Sequence, residues 1–293
     1  MIKLYNCDNE ELMAKLQDEI IDIICIDPPY LYLKNQKLER AFDENKFFSE
    51  CKRLLTKDGF IVMFGRGVSF YRWNTILADL GFVFKEEIVW NKRRATSPTH
   101  KIQRYHETIS IYTKKNGKIN KIKIPYLEVK EGDVNSIKRD VDRLSTALNN
   151  DSDFADLKFY LENKKIPTKM KHNNTTGVTV GSGSINVMSV APIYLRSIKE
   201  GIVEKTIIDI TSEQSRIHPT QKPVRLLERL LALVVPNKPK NEIVVADFFG
   251  GSFSTMEAVF NMGMSGISCE IDKEYFEAGK KRIENLQPNL FTS

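Results

Sequence analysis

Apolar positions along this chain follow two spacings, and their alternation predicts an α/β protein with a mostly parallel sheet. Near-continuous runs rich in β-branched residues occur at 20–26 (Ile-Ile-Asp-Ile-Ile-Cys-Ile) and 60–64 (Phe-Ile-Val-Met-Phe). Runs of this kind suit strands buried on both faces of a sheet better than amphipathic helices. Between them Phe47, Phe48, Cys51, Leu54 and Leu55 recur at helical spacing, which predicts a helix over about 45–55 with Asp58-Gly59 as its stop. A second helix is expected near 69–80, ended by Gly81, and strands at 82–90 and 108–112 whose separation argues against a hairpin. The same rhythm returns later: a helix from 222 or 223 to 235, a strand at 242–246, a helix after Ser252, a strand at 266–269 and a helix over 273–285.

From about residue 114 to 200 the rhythm is lost and the composition turns polar, Lys-rich and Asn-rich. This stretch carries a helical pattern at 134–148 and the segment Gly181-Ser182-Gly183-Ser184. Residues 114–174 hold 14 Lys plus Arg against 9 Asp plus Glu, so this stretch supplies most of the chain's excess positive charge. The expected organisation is one discontinuous sheet domain, 1–115 with 201–293, interrupted by an inserted region at 116–200. Basic charge on such an insertion suits either a polyanionic partner or a solvated surface.

With 293 residues, 41% hydrophobic and 28% charged, the chain is long enough to bury a large core, which sets aside a disordered protein. A net charge of +6 is compatible with a nucleic-acid partner without requiring one. Cys7, Cys25, Cys51 and Cys269 are scattered with no CxxC pair, which leaves disulfide and metal readings unsupported and fits a reducing compartment. The first residues lack the apolar core of a signal peptide, and no window nears 18 consecutive apolar residues. A cytoplasmic protein with no membrane partner is expected.

Chemistry concentrates at two strand ends. Asp27-Pro28-Pro29-Tyr30 follows the 20–26 run, and the carboxyl end of a strand opens onto the ligand crevice of an α/β sheet. Two prolines fix the local backbone and expose carbonyl oxygens. Tyr30 adds an aromatic plate, so the segment suits an exocyclic amine on a planar heterocycle, or it is a plain X-Pro-Pro turn. The second end is Ala246-Asp247-Phe248-Phe249-Gly250-Gly251-Ser252, a strand, glycine turn and helix start of the kind that lets backbone approach a ligand. Downstream, Glu270 ends another strand and is a candidate for a ribose diol. The Gly-x-Gly-x-x-Gly spacing of a dinucleotide fold is absent, which weighs against a dehydrogenase.

Taken in order, Asp27-Pro28-Pro29-Tyr30, His218-Pro219-Thr220-Gln221-Lys222-Pro223, Asp247-Phe248-Phe249-Gly250-Gly251-Ser252 and Glu270-Ile271-Asp272-Lys273-Glu274-Tyr275 resemble the β-class DNA amino-methyltransferases. In that class the catalytic motif precedes the target-recognition region and the cofactor motif follows it. The resemblance implies a Rossmann-like methyltransferase sheet flanked by helices, with 116–200 as the target-recognition or partner-binding region. It implies S-adenosylmethionine as cofactor and double-stranded DNA as partner. Asp27, Pro28, Pro29 and Tyr30 become the catalytic set. Asp8, Asp27, Lys222, Asp247, Phe249, Gly250, Gly251, Ser252 and Glu270 become the cofactor set, with Asp8 near the adenine unless it is only a helix cap. Trp90-Asn91-Lys92 and His106-Glu107 also recur in the family, in packing or in catalysis.

The basic loop residues Lys92, Arg93, Arg94, Lys101 and Arg104 are expected on DNA phosphates. Within the family an Asp in the first motif position more often accompanies adenine, which implies N6-adenine methylation, with cytosine-N4 transfer or a catalytically silent DNA-binding subunit as alternatives. A restriction-modification setting and a homodimer are both compatible. One departure stands out: the family turn usually reads Gly-Ser-Gly, whereas this chain has Gly251-Ser252-Phe253, and the phenylalanine is expected to crowd or cover the cofactor.

Overall fold

The computed structural model describes residues 1–30, 40–94, 101–130, 151–163, 199–212 and 221–286, with single positions at 135, 137, 138, 141, 142, 145 and 197. The segments His218-Pro219-Thr220 and Gly181-Ser182-Gly183-Ser184 lie outside the described residues. Two compact units emerge, Met1–Asn120 together with Lys205–Ser293, and Lys121–Glu204.

In chain order the elements are β1 (Ile2–Tyr5), α1 (Asn9–Lys15), β2 (Ile21–Ile26), α2 (Glu44–Leu54), β3 (Leu55–Gly65), α3 (Gly67–Asp79), β4 (Val83–Asn91), β5 (His106–Thr113), β6 (Lys123–Ile124), α4 (Tyr126–Val129), α5 (Asp151–Asn163), β7 (Ile202–Val203), β8 (Ile207–Asp209), α6 (Val224–Val234), β9 (Val244–Asp247), α7 (Ser254–Asn261), β10 (Ser265–Cys269) and α8 (Lys273–Glu284).

The first unit holds one eight-stranded sheet in the order β1-β10-β9-β2-β3-β5-β4-β8. The strands from β1 to β3 are parallel neighbours, and so are β4 and β8; β5 alone runs against both its neighbours. Every residue of β2 is buried, as its unbroken apolar run requires. The one polar member, Asp22, accepts from the Val244 backbone N–H at 2.8 Å and pairs with Lys238 at 2.8 Å. On one side of the sheet α2 and α3 bring Phe47, Phe48, Trp73 and Leu77 to the core. The Leu-rich face of α6, with Leu226, Leu227, Leu230 and Leu231, is likewise buried.

Two expectations need correction. The α2 helix stops at Leu54, because Leu55 already adopts the extended backbone that opens β3; Asp58-Gly59 lies inside that long strand, beside a register shift opposite β2. Second, β4 and β5 do pair directly and antiparallel, from Val83 opposite Thr113 to Asn91 opposite His106. Loop-closure entropy grows only logarithmically with length, so a long connection is a small penalty against a full ladder of hydrogen bonds. The edge strand β8, three residues long, gave no periodic signal.

The second unit pairs β6 with β7 antiparallel, Lys123 opposite Val203. It has its own small core of Tyr126, Ile137, Val141, Phe154, Leu157 and Leu161. Its described positions between 135 and 145, within the stretch expected to be helical, are helical.

Candidate active site and cofactor cleft

The chain arrives at the site through β2. Ile24 pairs with Ala246 of β9, so parallel pairing delivers Asp27 and Asp247 together at the carboxyl ends of adjacent strands. Strand order reverses direction here, since the chain proceeds from β2 to β3 on one side while β9 fills the other, the usual location of an α/β ligand crevice. One cleft is lined by Asp27-Pro28-Pro29-Tyr30, by Asp247 to Ser252 and by Glu270.

Tyr30 is fixed at both ends. Its carbonyl accepts from Ser69 Oγ at 2.8 Å, its ring tilts against Trp73 with centroids 6.1 Å apart, and its hydroxyl donates to Asp27 Oδ1. The second carboxylate oxygen of Asp27 accepts from Lys222 Nζ. Lys222 stands just ahead of Pro223, the N-cap of α6, so the buried leucine face of that helix anchors the lysine's backbone. Its ammonium also reaches Glu107 Oε2 at 3.2 Å, and Glu107 Oε1 in turn meets Lys92 Nζ at 3.1 Å. The result is an alternating row Asp27, Lys222, Glu107, Lys92 that is neutral in sum and mostly withdrawn from water.

Burial is the largest influence on Asp27, Glu107 and Lys222. At Asp27 burial and the nearby Glu107 outweigh Lys222, and the carboxyl is raised from its ordinary range. At Glu107 burial is overcome by Lys222 and Lys92, and the carboxyl is lowered. Lys222, despite its burial, is held firmly protonated by the two carboxylates.

The other half of the cleft is acid-rich. Asp247 is buried at the end of β9, where its Oδ1 accepts from the Phe249 N–H at 3.1 Å; burial pushes it up to about 7. Glu270 caps the glycine turn, with Oε2 accepting from Gly251 N–H and Oε1 from Asp272 N–H, both at 2.8 Å. Gly250 N–H donates to Cys269 O at 2.9 Å and ties the turn to β10. Phe249 packs on Phe42 and Phe47, and Ser252 is buried. Asp8 lines the cleft and also accepts from Glu10 N–H at 2.9 Å as the N-cap of α1.

Phe253 departs from the expectation. Its backbone is left-handed, with φ 56° and ψ 30°, the conformation a glycine would supply without strain. Its ring, however, points into the core rather than the cleft. It lies edge-on to Phe276 and fills the space where a Cβ on Gly250 or Gly279 would fall, 2.3 and 2.7 Å from ring atoms. The fully buried Phe253 is therefore not among the residues that line the cleft.

Lys92 is a second correction. Its side chain is 9% exposed and paired with Glu107, so it is withdrawn from any phosphate surface. Lys222 lines the cleft as expected, and its ammonium pairs there with the carboxylates of Asp27 and Glu107. Arg94 and Lys101 are exposed and Arg93 and Arg104 half-buried, on the connection that joins β4 to β5. For Glu107 the sequence is compatible with packing or with catalysis, and the fold brings it to the cleft wall. Arg40 also lines the cleft without any signal in the sequence, and Tyr275, the last residue of the Glu270–Tyr275 segment, lines it too.

Comparison with known proteins identifies the fold and the family. Residues 21–281 match the N6/N4 methyltransferase family, described as DNA methylase. The chain belongs to that family. It is an S-adenosylmethionine-dependent DNA amino-methyltransferase. Among its relatives, it is 23% identical over 292 residues to the type II methyltransferase M.HpaI of Haemophilus parainfluenzae, covering 95% of this chain and 73% of the relative. To M.HinfI of Haemophilus influenzae it is 25% identical over 304 residues, covering 95% and 67%. In fold the methylase matches the crystal structure of the M1.HpyAVI–SAM complex, with a TM-score of 0.56 at 20% identity over 96% of this chain and all of the other. It also matches the cytosine-N4-specific PvuII DNA methyltransferase, with a TM-score of 0.57 at 16% identity over 99% and 88%.

The donor set of the cleft fits the cofactor. S-adenosylmethionine carries two cationic groups and one carboxylate, and Asp8, Asp27, Asp247, Glu270 and Asp272 all line this one cleft. Among the described residues no group of three or more His, Cys, Asp or Glu is disposed to hold a metal ion. No helix of the described residues is long and apolar enough to cross a membrane.

Proposed function

We propose that this methylase transfers a methyl group to the exocyclic N6 amine of an adenine extruded from duplex DNA, at a specific sequence. The observation that carries the reading is the register that brings Asp27 and Asp247 to one cleft from neighbouring parallel strands. Bound S-adenosylmethionine supplies an electrophilic methyl group on a sulfonium. Asp247 faces its cationic end, and Glu270, already fixed by two backbone donors, has lone pairs left for the ribose hydroxyls. Asp8 would hold the cofactor's adenine, and Phe249, Gly250, Gly251 and Ser252 would line its methionine end.

Asp27 and the Pro28 carbonyl accept the two amine hydrogens. That draws the nitrogen lone pair out of ring conjugation and aims it at the methyl group. A carboxylate offers about four lone-pair sites, so the bonds from Tyr30 and Lys222 leave Asp27 room for the amine. Pro29 holds the loop rigid and Tyr30 stacks on the extruded base. Adenine is favoured by the aspartate at position 27. Arg93, Arg94, Lys101 and Arg104 hold the phosphate backbone, and the unit Lys121–Glu204 reads the target sequence. The relatives are named type II methyltransferases, and a protective role beside a restriction enzyme follows from the same reading.

Nucleosides from unmethylated DNA incubated with the protein and S-adenosylmethionine, resolved by mass spectrometry with Asp27→Ala in parallel, test this. N6-methyladenine from the parent and none from the variant is the expected result. N4-methylcytosine would correct the base and keep the mechanism, and no product with any DNA, despite cofactor binding, would overturn the reading.

A further inference from the structure

Lys222 does not belong to Asp27 alone. Its ammonium sits between Asp27 Oδ2 and Glu107 Oε2, the latter at 3.2 Å, while the other oxygen of Glu107 is held by Lys92 at 3.1 Å. Side-chain exposures of 7% for Lys222, 9% for Lys92 and 15% for Glu107 leave these groups little water to screen them. A buried lysine needs one carboxylate for charge balance; this one has two, one on the loop after β2 and one on β5, with a second buried lysine restoring neutrality.

Accepting Asp27 as the group that receives the amine hydrogens, we propose that Glu107 is a positioning residue for methyl transfer. By drawing the Lys222 ammonium between two carboxylates, it leaves Asp27 a share of that cation and so keeps Asp27 able to take a proton. The reaction requires such an acceptor. As the amine nitrogen bonds to the methyl carbon, the carbon–sulfur bond breaks with its electron pair going to sulfur, and the cofactor leaves as a neutral thioether. The nitrogen then carries one proton too many, and Asp27 takes it, which restores a neutral methylamino group and leaves a neutral carboxylic acid. Glu107 remains a carboxylate throughout, locked between two ammonium groups.

The charged and titratable groups around Asp27 are Tyr30 on its own loop, Lys222 ahead of α6, Glu107 on β5, Asp247 on β9 and Cys25 on β2; Lys92 acts through Glu107. Glu107 is the one anion among them that shares the Lys222 cation. Burial together with Glu107 raises Asp27 against the lowering effect of Lys222. Removing the Glu107 charge gives Asp27 the whole ammonium and makes it a weaker base.

The test is the pH dependence of the single-turnover methyl-transfer rate at saturating S-adenosylmethionine and DNA, in the parent, Glu107→Gln and Glu107→Asp. Expected for Glu107→Gln is an acidic limb displaced to lower pH by about one unit and a plateau rate about three- to tenfold lower. KM for DNA and Kd for the cofactor change less than about threefold. Glu107→Asp retains the parent limb. A limb that does not move in folded, cofactor-binding Glu107→Gln overturns the proposal, and so does an equal displacement in both variants, which marks a structural defect. If Glu107→Gln does not fold, the Lys92→Met/Glu107→Gln double variant preserves buried neutrality and is read in the same way. Asp27→Asn keeps the two readings apart: an active Asp27→Asn sinks the assignment of Asp27 itself, whereas an inactive one with an unmoved limb sinks only the role of Glu107.

Discussion

Lys222 donates to Asp27 across a sequence separation of 195 residues, and the pair joins the segment after β2 to the start of α6 inside the cleft. The bond is both structural and electrostatic, since it ties two distant segments together and gives the buried Asp27 its counter-ion.

Breaking it is costly. Lys222→Met leaves Asp27 and Glu107 facing each other in a buried site with only Lys92 to offset their two charges. A loss of about 3–5 kcal/mol of folding stability is expected, the usual consequence of orphaning a buried charge. Denaturant unfolding reads the loss, and it shrinks toward acid pH, because protonation of the raised Asp27 carboxyl removes one of the two unbalanced charges.

Asp247 ties cofactor binding to pH. Burial raises it from the ordinary 3.8 to about 7, so in the ligand-free protein it is about half protonated at neutrality. A cationic ligand group prefers the carboxylate, so affinity for S-adenosylmethionine is expected to fall about fivefold from pH 7 to pH 6 and about tenfold more to pH 5. Calorimetric titration across this range checks it. The stability sign is opposite: a raised acid contributes fully below about pH 4, and that contribution is lost as pH rises through 7. Asp247→Asn is therefore expected to stabilise the ligand-free protein at pH 8 by about 2–4 kcal/mol while abolishing cofactor binding.

Phe253→Gly separates backbone strain from packing. Glycine relieves about 1–2 kcal/mol at the left-handed position but forfeits a fully buried ring, which costs about 3–5 kcal/mol. A net loss of about 1–4 kcal/mol in thermal or denaturant unfolding is expected. Because the ring faces away from the cleft, cofactor affinity of the folded variant stays within about threefold of the parent.

Glu270→Gln tests the double acceptor. Glutamine offers one carbonyl where Gly251 N–H and Asp272 N–H each now meet a carboxylate oxygen, so its amide group must face a backbone donor. The expected penalty is about 1–3 kcal/mol in stability and at least a tenfold weaker cofactor Kd. Unchanged binding would remove Glu270 from the ribose site.

The basic residues divide by burial. Neutralising Arg94 or Lys101, both exposed, is expected to weaken DNA binding and to make the salt slope shallower by about 0.9 for each phosphate that is no longer neutralised. Lys92→Met is expected to leave that slope unchanged and to reduce stability, since Lys92 is enclosed with Glu107. Binding titrations over a range of salt distinguish the two.

Much of this molecule is local information. The unbroken apolar run of β2, the helical spacing of Phe47, Phe48, Cys51 and Leu54, and the glycine turn after β9 each announce their element from neighbours in sequence. The segments proposed as catalytic and cofactor-binding are equally legible as turns at strand ends, because proline pairs and glycine turns constrain the backbone by themselves. The antiparallel pairing of β4 with β5 was not legible, since nothing local records which strands meet across a long connection.

The sequence by itself determined the α/β alternation and the acids at the ends of β2, β9 and β10, because hydrophobic period and turn chemistry act over a few residues. Only the tertiary structure decided that Lys92 is buried, that Lys222 is shared between Asp27 and Glu107, and that Phe253 turns into the core. A side chain's solvation and charge partners depend on which distant strands the sheet sets beside it, and no sequence spacing encodes that.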